Sequence, residues 1–427
     1  MHVKTLILGG GLTGLSVAYQ LEKLRDTNYL VLEKERQPGG LCRSTYKNGF
    51  TFDYSGHLLH LHTPQGKKIV RELLGKNLHR VARRAFVYTG TSQVPFPFQA
   101  HLYALPPQTQ KRCVEGLLSV KHAKTPPRNF EQWCLRAFGK GIYETFMRPY
   151  NTKLWGRAPR ELTCEWCAPF IPAPSPQEIR QSTRQNSARK WGYNPFFYYP
   201  KTGGCGALIA ALTAKISHVK TNTPVTQIDL KNKTVRAGRK TITYDFLVNT
   251  LPLPVFLHLL KGAPSLTHLA DQLTAQTITV CHLALRGRPR PFSWIYCPDE
   301  QDPFYRVGLQ SSFSPANAPQ GMYSLYIELP GCVRPTPNRE RQIYRALLQK
   351  GIISKYDEKL FSFWQTVPYA YVVYDKPRTQ AVRRILQQLE KYGCTCAGRY
   401  GKWEYSFMES SLLQGQTIAK KRYNEVL

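Results

Sequence analysis

The chain reads as an α/β protein built on a Rossmann-like domain that the chain leaves and re-enters, with a helical domain and an antiparallel-sheet domain inserted. Three observations predict this. Val3 to Leu8 (VKTLIL) is a short apolar run with β-branched residues at every second position, the pattern of a buried parallel strand. Gly9-x-Gly11-x-x-Gly14 follows it and opens an amphipathic helical stretch (LSVAYQLEKLRD), after which a second strand, Tyr29 to Leu32, ends at Glu33, about twenty residues past the glycines. Further on, the periodicity is helical with loops from about 106 to 197. It turns strand-like from about 219 to 250 and again from about 273 to 330.

Each part of the first motif has a mechanical reason. Gly9 permits the tight turn, Gly11 lets a pyrophosphate approach the backbone, and Gly14 lets helix and strand pack closely. The helix amino terminus then faces the phosphates, and Glu33 accepts hydrogen bonds from the ribose hydroxyls of an adenosine. A bare glycine triplet is weak, but strand, glycines, helix, strand and acid in order form a dinucleotide-binding fingerprint. The Gly39-Gly40 turn with Arg43 and Ser44 just past the acid is the extension found in FAD proteins rather than in simple dehydrogenases. A second glycine-containing loop begins at Tyr54-Ser55-Gly56-His57.

Pro95, Pro97, Pro106, Pro107, Pro126 and Pro127 then punctuate a change of architecture. Gly203-Gly204-Cys205-Gly206 lacks the Lys-Ser/Thr ending of a phosphate loop and reads as a turn before a helix over Ala207–Lys215. Thr277–Leu285 and Met322–Leu329 are the clearest later strands, and Arg339–Lys350 and Arg378–Lys391 read as helices. A last strand precedes Gly398-Arg399, and a helix starts near Met408. The expected domains are 1–87, 198–272 and 392–427 for the Rossmann-like FAD-binding domain, 106–197 for the helical domain, and 88–105 with 273–391 for the sheet domain, which binds substrate.

Composition narrows the function. The 427 residues are 42% apolar, enough for full cores, and no apolar run of about 18 residues offers a membrane-spanning helix. Glycines interrupt the apolar amino terminus, which argues against a signal peptide. Eleven cysteines without framework spacing point to reduced thiols and a cytoplasmic protein. Lys and Arg number 59 against 27 Asp and Glu, a net charge of +32, but the charge is dispersed and no nucleic-acid-reading signature accompanies it. Specific nucleic-acid binding is therefore not expected, and the sequence leaves a homo-oligomer open. Cys164-Glu165-Trp166-Cys167 has zinc-like or redox-like spacing, yet no second pair accompanies it, so no metal is expected.

Taken together, the motifs resemble the UDP-galactopyranose mutase family, in its eukaryotic-type branch, within the glutathione-reductase/amine-oxidase type of FAD protein. The segments that carry the resemblance run in order along nearly the whole chain. They are Gly9–Gly14, Gly56-His57, Val94–Gln99 (VPFPFQ), Phe146–Trp155 (FMRPYNTKLW), Trp191–Asn194 (WGYN), Trp294–Tyr296 with Pro303–Arg306 (PFYR), Gly398–Tyr405 (GRYGKWEY), and Met408–Ser411 with Gly415.

The resemblance implies an isomerase that interconverts the pyranose and furanose forms of a UDP-sugar. The flavin must be reduced, and its N5 attacks the anomeric carbon and expels UDP, so the cofactor is a covalent catalyst with no net redox change. The sequence does not name the electron donor: NADPH or NADH fits the role only by binding transiently over the flavin, since no second dinucleotide fingerprint is visible. Arg306 and Arg399 match arginines that hold the pyrophosphate, a task suited to bidentate guanidinium forks. Tyr296, Tyr371 and Tyr405 match tyrosines that hydrogen-bond it. Phe96, Phe98 and Gln99 lie at the uracil position, and Asn151, Trp155 and Asn194 at the sugar pocket. His57 sits on the loop facing the flavin. Val225 lies where a strand meets the adenine, and Met408 and Ser411 where a helix starts beside the flavin. The implied cofactor contacts also include Leu12, Thr13, Lys34, Gly40, Leu41, Arg43, Ser44 and Gly56.

Three positions depart from the family. Phe170 stands where a mobile-loop arginine is usual, Phe96 replaces a tyrosine and Glu409 an aspartate. Either Arg180 or Arg184 compensates for the arginine, or the substrate differs from UDP-galactopyranose. Two other readings stay open. One is an FAD oxidoreductase of the amine-oxidase or protoporphyrinogen-oxidase type, which shares the glycine motifs but needs no diphosphate clamp. The other is a non-catalytic basic protein that binds a polyanion.

Overall fold

The computed structural model describes residues 1–90, 92–120, 125–168, 170–184 and 195–424. Its first sheet has a parallel centre. Strand Lys240–Asn249 pairs with His2–Leu8, which pairs with Tyr29–Leu32, which pairs with Val219–Lys220; Cys394–Cys396 adds beside Lys240–Asn249. An antiparallel meander, Val225–Asp229 and Thr234–Ala237, extends one edge. The sheet thus draws strands from three separate stretches of chain. Thr5 to Leu8 and Tyr29 to Leu32 are buried throughout, as strands covered on both faces must be. Helix Leu12–Lys23 packs on this sheet together with the last helix, Met408–Asn424, through Ser16 Oγ, which donates to the Leu412 carbonyl at 2.9 Å.

The second sheet has seven strands in the order Glu358–Val372, Ala275–Arg286, Met322–Pro330, Arg306–Leu309, Trp294–Tyr296, Ala85–Thr89 and Ser92–Pro95. All its pairs are antiparallel except Trp294–Tyr296 with Ala85–Val87, which is parallel. The expected boundary at residue 87 therefore falls inside a strand of this sheet. The 15-residue edge strand Glu358–Val372 was not anticipated from the sequence.

Between strands Ser92–Pro95 and Phe196–Pro200 the chain forms the helices Pro107–Leu118, Phe130–Ile142, Arg148–Trp155 and Pro176–Gln181. Gly116, Gly139 and Gly141 let the first two cross closely: a Cβ on Gly116 would lie 2.5 Å from the Gly141 nitrogen. The expected elements recur with small shifts at their ends, including Gly206–Thr213, Pro337–Gln349 and Lys376–Lys391.

Candidate active site

The first strand delivers the chain into Gly9 at φ 98°, where a Cβ would meet Thr250 Oγ1 at 2.6 Å. A Cβ on Gly14 would lie 2.1 Å from the Gly9 carbonyl oxygen, so the helix can sit this close only with glycine there. Gly11 has nothing within 4 Å of its Cβ position and no side chain caps the helix that follows it. The unpaired N–H groups of that first turn are thus left to an anion from the cleft. Glu33 is oriented by the N–H groups of Gly10 (2.7 Å) and Glu35 (2.9 Å), which donate to its carboxylate. An open glycine, an uncapped helix start and a fixed acid are the donor set that a dinucleotide cofactor requires, and these residues fit one.

The helix start opens on a cleft of about 280 Å³. Fourteen of the residues expected at the site line it: Gly11, Leu12, Thr13, Gly40, Leu41, Gly56, His57, Tyr296, Arg306, Tyr371, Arg399, Tyr405, Met408 and Ser411. They come from strands of the second sheet and from turns and helices at both ends of the chain. Gly9, Gly14 and Glu33 act from behind, through backbone shape and the hydrogen bonds above.

The remaining expectations are placed differently. Phe98 is fully buried and stacks on Phe146 with ring centres 5.2 Å apart, so it is a core residue with no face left for a ligand. Phe96 lies against Tyr296 (5.1 Å) and under Arg83. Gln99 donates through Nε2 to the Pro172 carbonyl, and its buried Oε1 has no partner among the described residues. Asn151 donates to Met147 within its own helix (2.7 Å). Trp155 is buried between Trp166 (4.9 Å) and Tyr371 (5.8 Å). Lys34 points to solvent beside Glu35 (3.5 Å). Arg43 lies over the Tyr54 ring and donates to the Gly40 carbonyl, which shapes the loop. Ser44 donates to buried Asp53 (2.5 Å) and accepts from the Gly206 N–H (2.8 Å), a structural duty away from the cleft. Val225 starts the meander strand at the sheet's edge. Asn194 lies outside the described residues.

The cleft's electrostatics turn on a residue that the sequence reading missed. Glu328, fully buried in strand Met322–Pro330, accepts two hydrogen bonds from Arg306, from Nε at 2.7 Å and from Nη2 at 2.5 Å. Arg306 also donates to the Tyr371 hydroxyl at 3.3 Å. Burial works most strongly against its charge, but Glu328 together with the phenols of Tyr371, Tyr326 and Tyr150 outweighs it and holds the guanidinium well above its ordinary range. Ser55, at φ 74°, donates its hydroxyl to the same carboxylate from the opposite wall. A lone acid in the apolar run Met322–Pro330 is the signal that could have revealed Glu328, because a buried carboxylate demands a partner.

Arg399 donates to the Ala370 carbonyl (2.5 Å) and faces the rings of Tyr405 (4.6 Å) and Tyr371 (5.6 Å); its buried Nε has no partner among the described residues. His57 is driven down to about 4 by burial first and then by Arg399, so its imidazole is neutral, with Nδ1 unpartnered among the described residues. Phe170 packs edge-on against Tyr405 (4.4 Å) and beside Phe407 (5.0 Å), and so backs two aromatic residues of the cleft's lining.

A glycine-turn domain joined across a cleft to a mostly antiparallel sheet is the arrangement of the two-domain flavoenzymes. The model of flavin-containing amine oxidoreductases matches residues 12–421, and the chain belongs to that family. Over its full length it is similar to a crystal structure of reduced UDP-galactopyranose mutase, with a TM-score of 0.93, 27% identity and coverage of 100% of this chain and 94% of that one. A conjugated-linoleic-acid-producing fatty acid isomerase from P. acnes (TM-score 0.64, 14% identity, 98% of both chains) shares the fold. So does putrescine oxidase bound to putrescine (TM-score 0.66, 13% identity, 99% of both chains). An uncharacterized protein of the nifH2 3′ region in Methanothermococcus thermolithotrophicus is 44% identical over 57 residues, which are 13% of this chain; the match spans about half of that relative's length (54%).

Proposed function

We propose that the protein is an FAD-dependent nucleotide-sugar mutase that interconverts the pyranose and furanose forms of a UDP-sugar. One observation carries the reading: Arg306 and Arg399, with Tyr296, Tyr371 and Tyr405, line the same cleft as the Gly56-His57 loop. A diphosphate meets two guanidinium groups and three phenols there. An amine substrate arrives as a cation and meets the same positive charge, which opposes its binding. The likeness to reduced UDP-galactopyranose mutase supports the reading.

When bound and reduced, the flavin supplies a nucleophile for the anomeric carbon. The chain's own residues do the rest. Glu328 and Ser55 fix the fork of Arg306, so the clamp is formed before substrate arrives. Tyr371 extends that clamp by one hydroxyl. Neutral His57 places a polar nitrogen at the cleft without adding charge. Phe170, Phe407 and Tyr405 exclude water from their side of the cleft. NADPH or NADH is the reductant this reading expects. All eleven cysteines are free thiols, which supports a reducing, cytoplasmic setting. No helix among the described residues is long and apolar enough to cross a membrane.

The test is chromatographic. The dithionite-reduced protein converts UDP-galactofuranose to UDP-galactopyranose, the oxidised protein does not, and Arg306→Ala and Arg399→Ala each raise KM at least tenfold. No conversion by the reduced protein, together with oxygen uptake on an amine or porphyrinogen, establishes the oxidoreductase reading instead.

A further inference from the structure

Cys164-Glu165-Trp166-Cys167 is the one chemically suggestive motif that the function above leaves unused. Its start is pinned by the Thr163 N–H, which donates to the Tyr374 carbonyl at 2.7 Å. The Cys167 N–H then donates to the Cys164 carbonyl at 3.1 Å and closes a tight turn. A turn closed this way keeps its end Cα atoms within about 7 Å, and disulfides span roughly 4.4–6.8 Å between Cα atoms. The two thiols differ in access. Cys164 is partly open to solvent, where its Sγ donates to the Pro127 carbonyl at 3.4 Å, whereas Cys167 is fully buried beneath it. No group of three or more His, Cys, Asp or Glu among the described residues could hold a metal, which leaves thiol chemistry.

We propose that Cys164 and Cys167 form a thiol–disulfide exchange site behind the Trp166–Trp155–Tyr371 stack that backs the cleft, with a low-molecular-weight disulfide such as oxidised glutathione as its oxidant. The Cys164 thiolate attacks one sulfur of the glutathione disulfide and releases one glutathione. The Cys167 thiolate then attacks the Cys164 sulfur of the mixed disulfide, closes the Cys164–Cys167 bond and releases the second glutathione. Two electrons pass from the cysteine pair to glutathione, and the two thiol protons end on the two glutathione thiols.

Burial holds both thiols above the ordinary cysteine range. Each thiol therefore attacks through its minor thiolate form, and the exchange quickens as pH rises. The exchange also reaches the cleft wall. Trp166, between the two cysteines, packs on Trp155 (4.9 Å), which packs on Tyr371 (5.8 Å). The Cys167 carbonyl accepts from the N–H groups of Phe170 (3.0 Å) and Ile171 (2.9 Å) and so seats Phe170 on Tyr405.

The test needs no nucleotide sugar, so its failure leaves the proposed function standing. The full-length, flavin-loaded protein is incubated with oxidised glutathione under native conditions, quenched in acid, alkylated and peptide-mapped. The expected product is a Cys164–Cys167 link, lighter by two hydrogens than the dithiol and reversed by dithiothreitol. Quenching of tryptophan emission accompanies it and is lost in Trp166→Phe. Exposed Cys332 takes a glutathione adduct as the internal control. Cys167→Ser halts at a mixed disulfide on Cys164, and Cys164→Ser leaves Cys167 alkylated without a link. A Cys134–Cys167 link, a lasting glutathione adduct on Cys164 of the parent protein, or an unlinked pair while Cys332 reacts each overturns the proposal.

Discussion

Arg306 and Glu328 face each other on adjacent strands and form a two-pronged ion pair whose carboxylate is fully buried and whose guanidinium borders the cleft. The arginine offered to a ligand is therefore already compensated, and its fork is fixed on one side. Breaking such a pair by removing one partner leaves a buried charge alone, at a cost of about 3–5 kcal/mol. Glu328→Ala is expected to lose stability in that range in denaturant melts, and Glu328→Gln less, because the amide oxygen still accepts from Arg306. Equal melting of Glu328→Ala and the parent protein contradicts the pairing.

Ser55 offers a cleaner dissection, since its hydroxyl and its left-handed backbone can be changed separately. Ser55→Ala removes the hydrogen bond to Glu328 and keeps the strain, whereas Ser55→Gly removes both. Ser55→Gly should be the more stable of the two by about 1 kcal/mol, and both should weaken UDP binding several-fold in calorimetric titrations. Identical affinities for parent and variants remove Ser55 from the clamp.

Acid should unfold this protein early. Burial lowers His57, His60 and His282 to about 4 from 6.5. Between these values the unfolded chain binds protons that the folded chain refuses. Their contribution is complete above pH 6.5 and is lost as pH falls towards 4, on the order of 3 kcal/mol per histidine. Urea midpoints measured from pH 7 to pH 4 should fall steeply. His282, stacked on Phe363 (4.5 Å) away from the cleft, can be tested alone: His282→Gln should flatten part of the slope without touching ligand binding.

Glu409, the residue that departs from the family's aspartate, accepts hydrogen bonds from the N–H of His62 (3.0 Å) and from both the N–H (2.9 Å) and hydroxyl (2.8 Å) of Thr63. Its longer side chain lies where a Cβ on Gly66 would sit, 2.1 Å from Oε1. Gly66→Ala should cost about 1–3 kcal/mol by overpacking. In Gly66→Ala/Glu409→Ala the two losses should not add, because the clash is gone. Thermal melts of the three variants decide it.

Phe170→Arg places a cation beside Tyr405. A charge-assisted contact of about 1.5–3 kcal/mol should tighten UDP binding by tenfold or more in a fluorescence titration. Unchanged affinity shows that this position does not reach the diphosphate.

Elements whose signal is a local period or a glycine turn were legible. The first strand, Gly9 to Gly14, Glu33, and the helices near 337–349 and 376–391 all belong to that kind. Strand Glu358–Val372 was not legible, for two reasons. It lies at a sheet edge with most of its first half only partly buried, and Pro368 interrupts its pattern where the register with Ala275–Arg286 shifts. Much of the cleft could be read because its residues sit in recognisable motifs. Phe98 and Ser44 misled because neighbours on one short segment point to different places, one to the cleft and the next to the core. Glu328 and Ser55 escaped because Glu328 is defined by a partner on a neighbouring strand and Ser55 by a carboxylate 273 positions away in the chain.

The packing of helix Leu12–Lys23 on helix Met408–Asn424 also governs the order of events during biosynthesis. The glycine loop leaves the ribosome well before residues 398–411, which supply part of its cleft's lining, and before the helix that props it, which continues to Asn424. At about 5–20 residues per second, roughly 20–80 s separate the two. Throughout that interval the central parallel sheet lacks its Cys394–Cys396 strand, and the amino-terminal helix has no partner for its Ser16 face. The cleft is thus completed only after residues 398–424 have emerged, and until then the uncovered faces of the first helix and sheet must be kept from aggregation by other means.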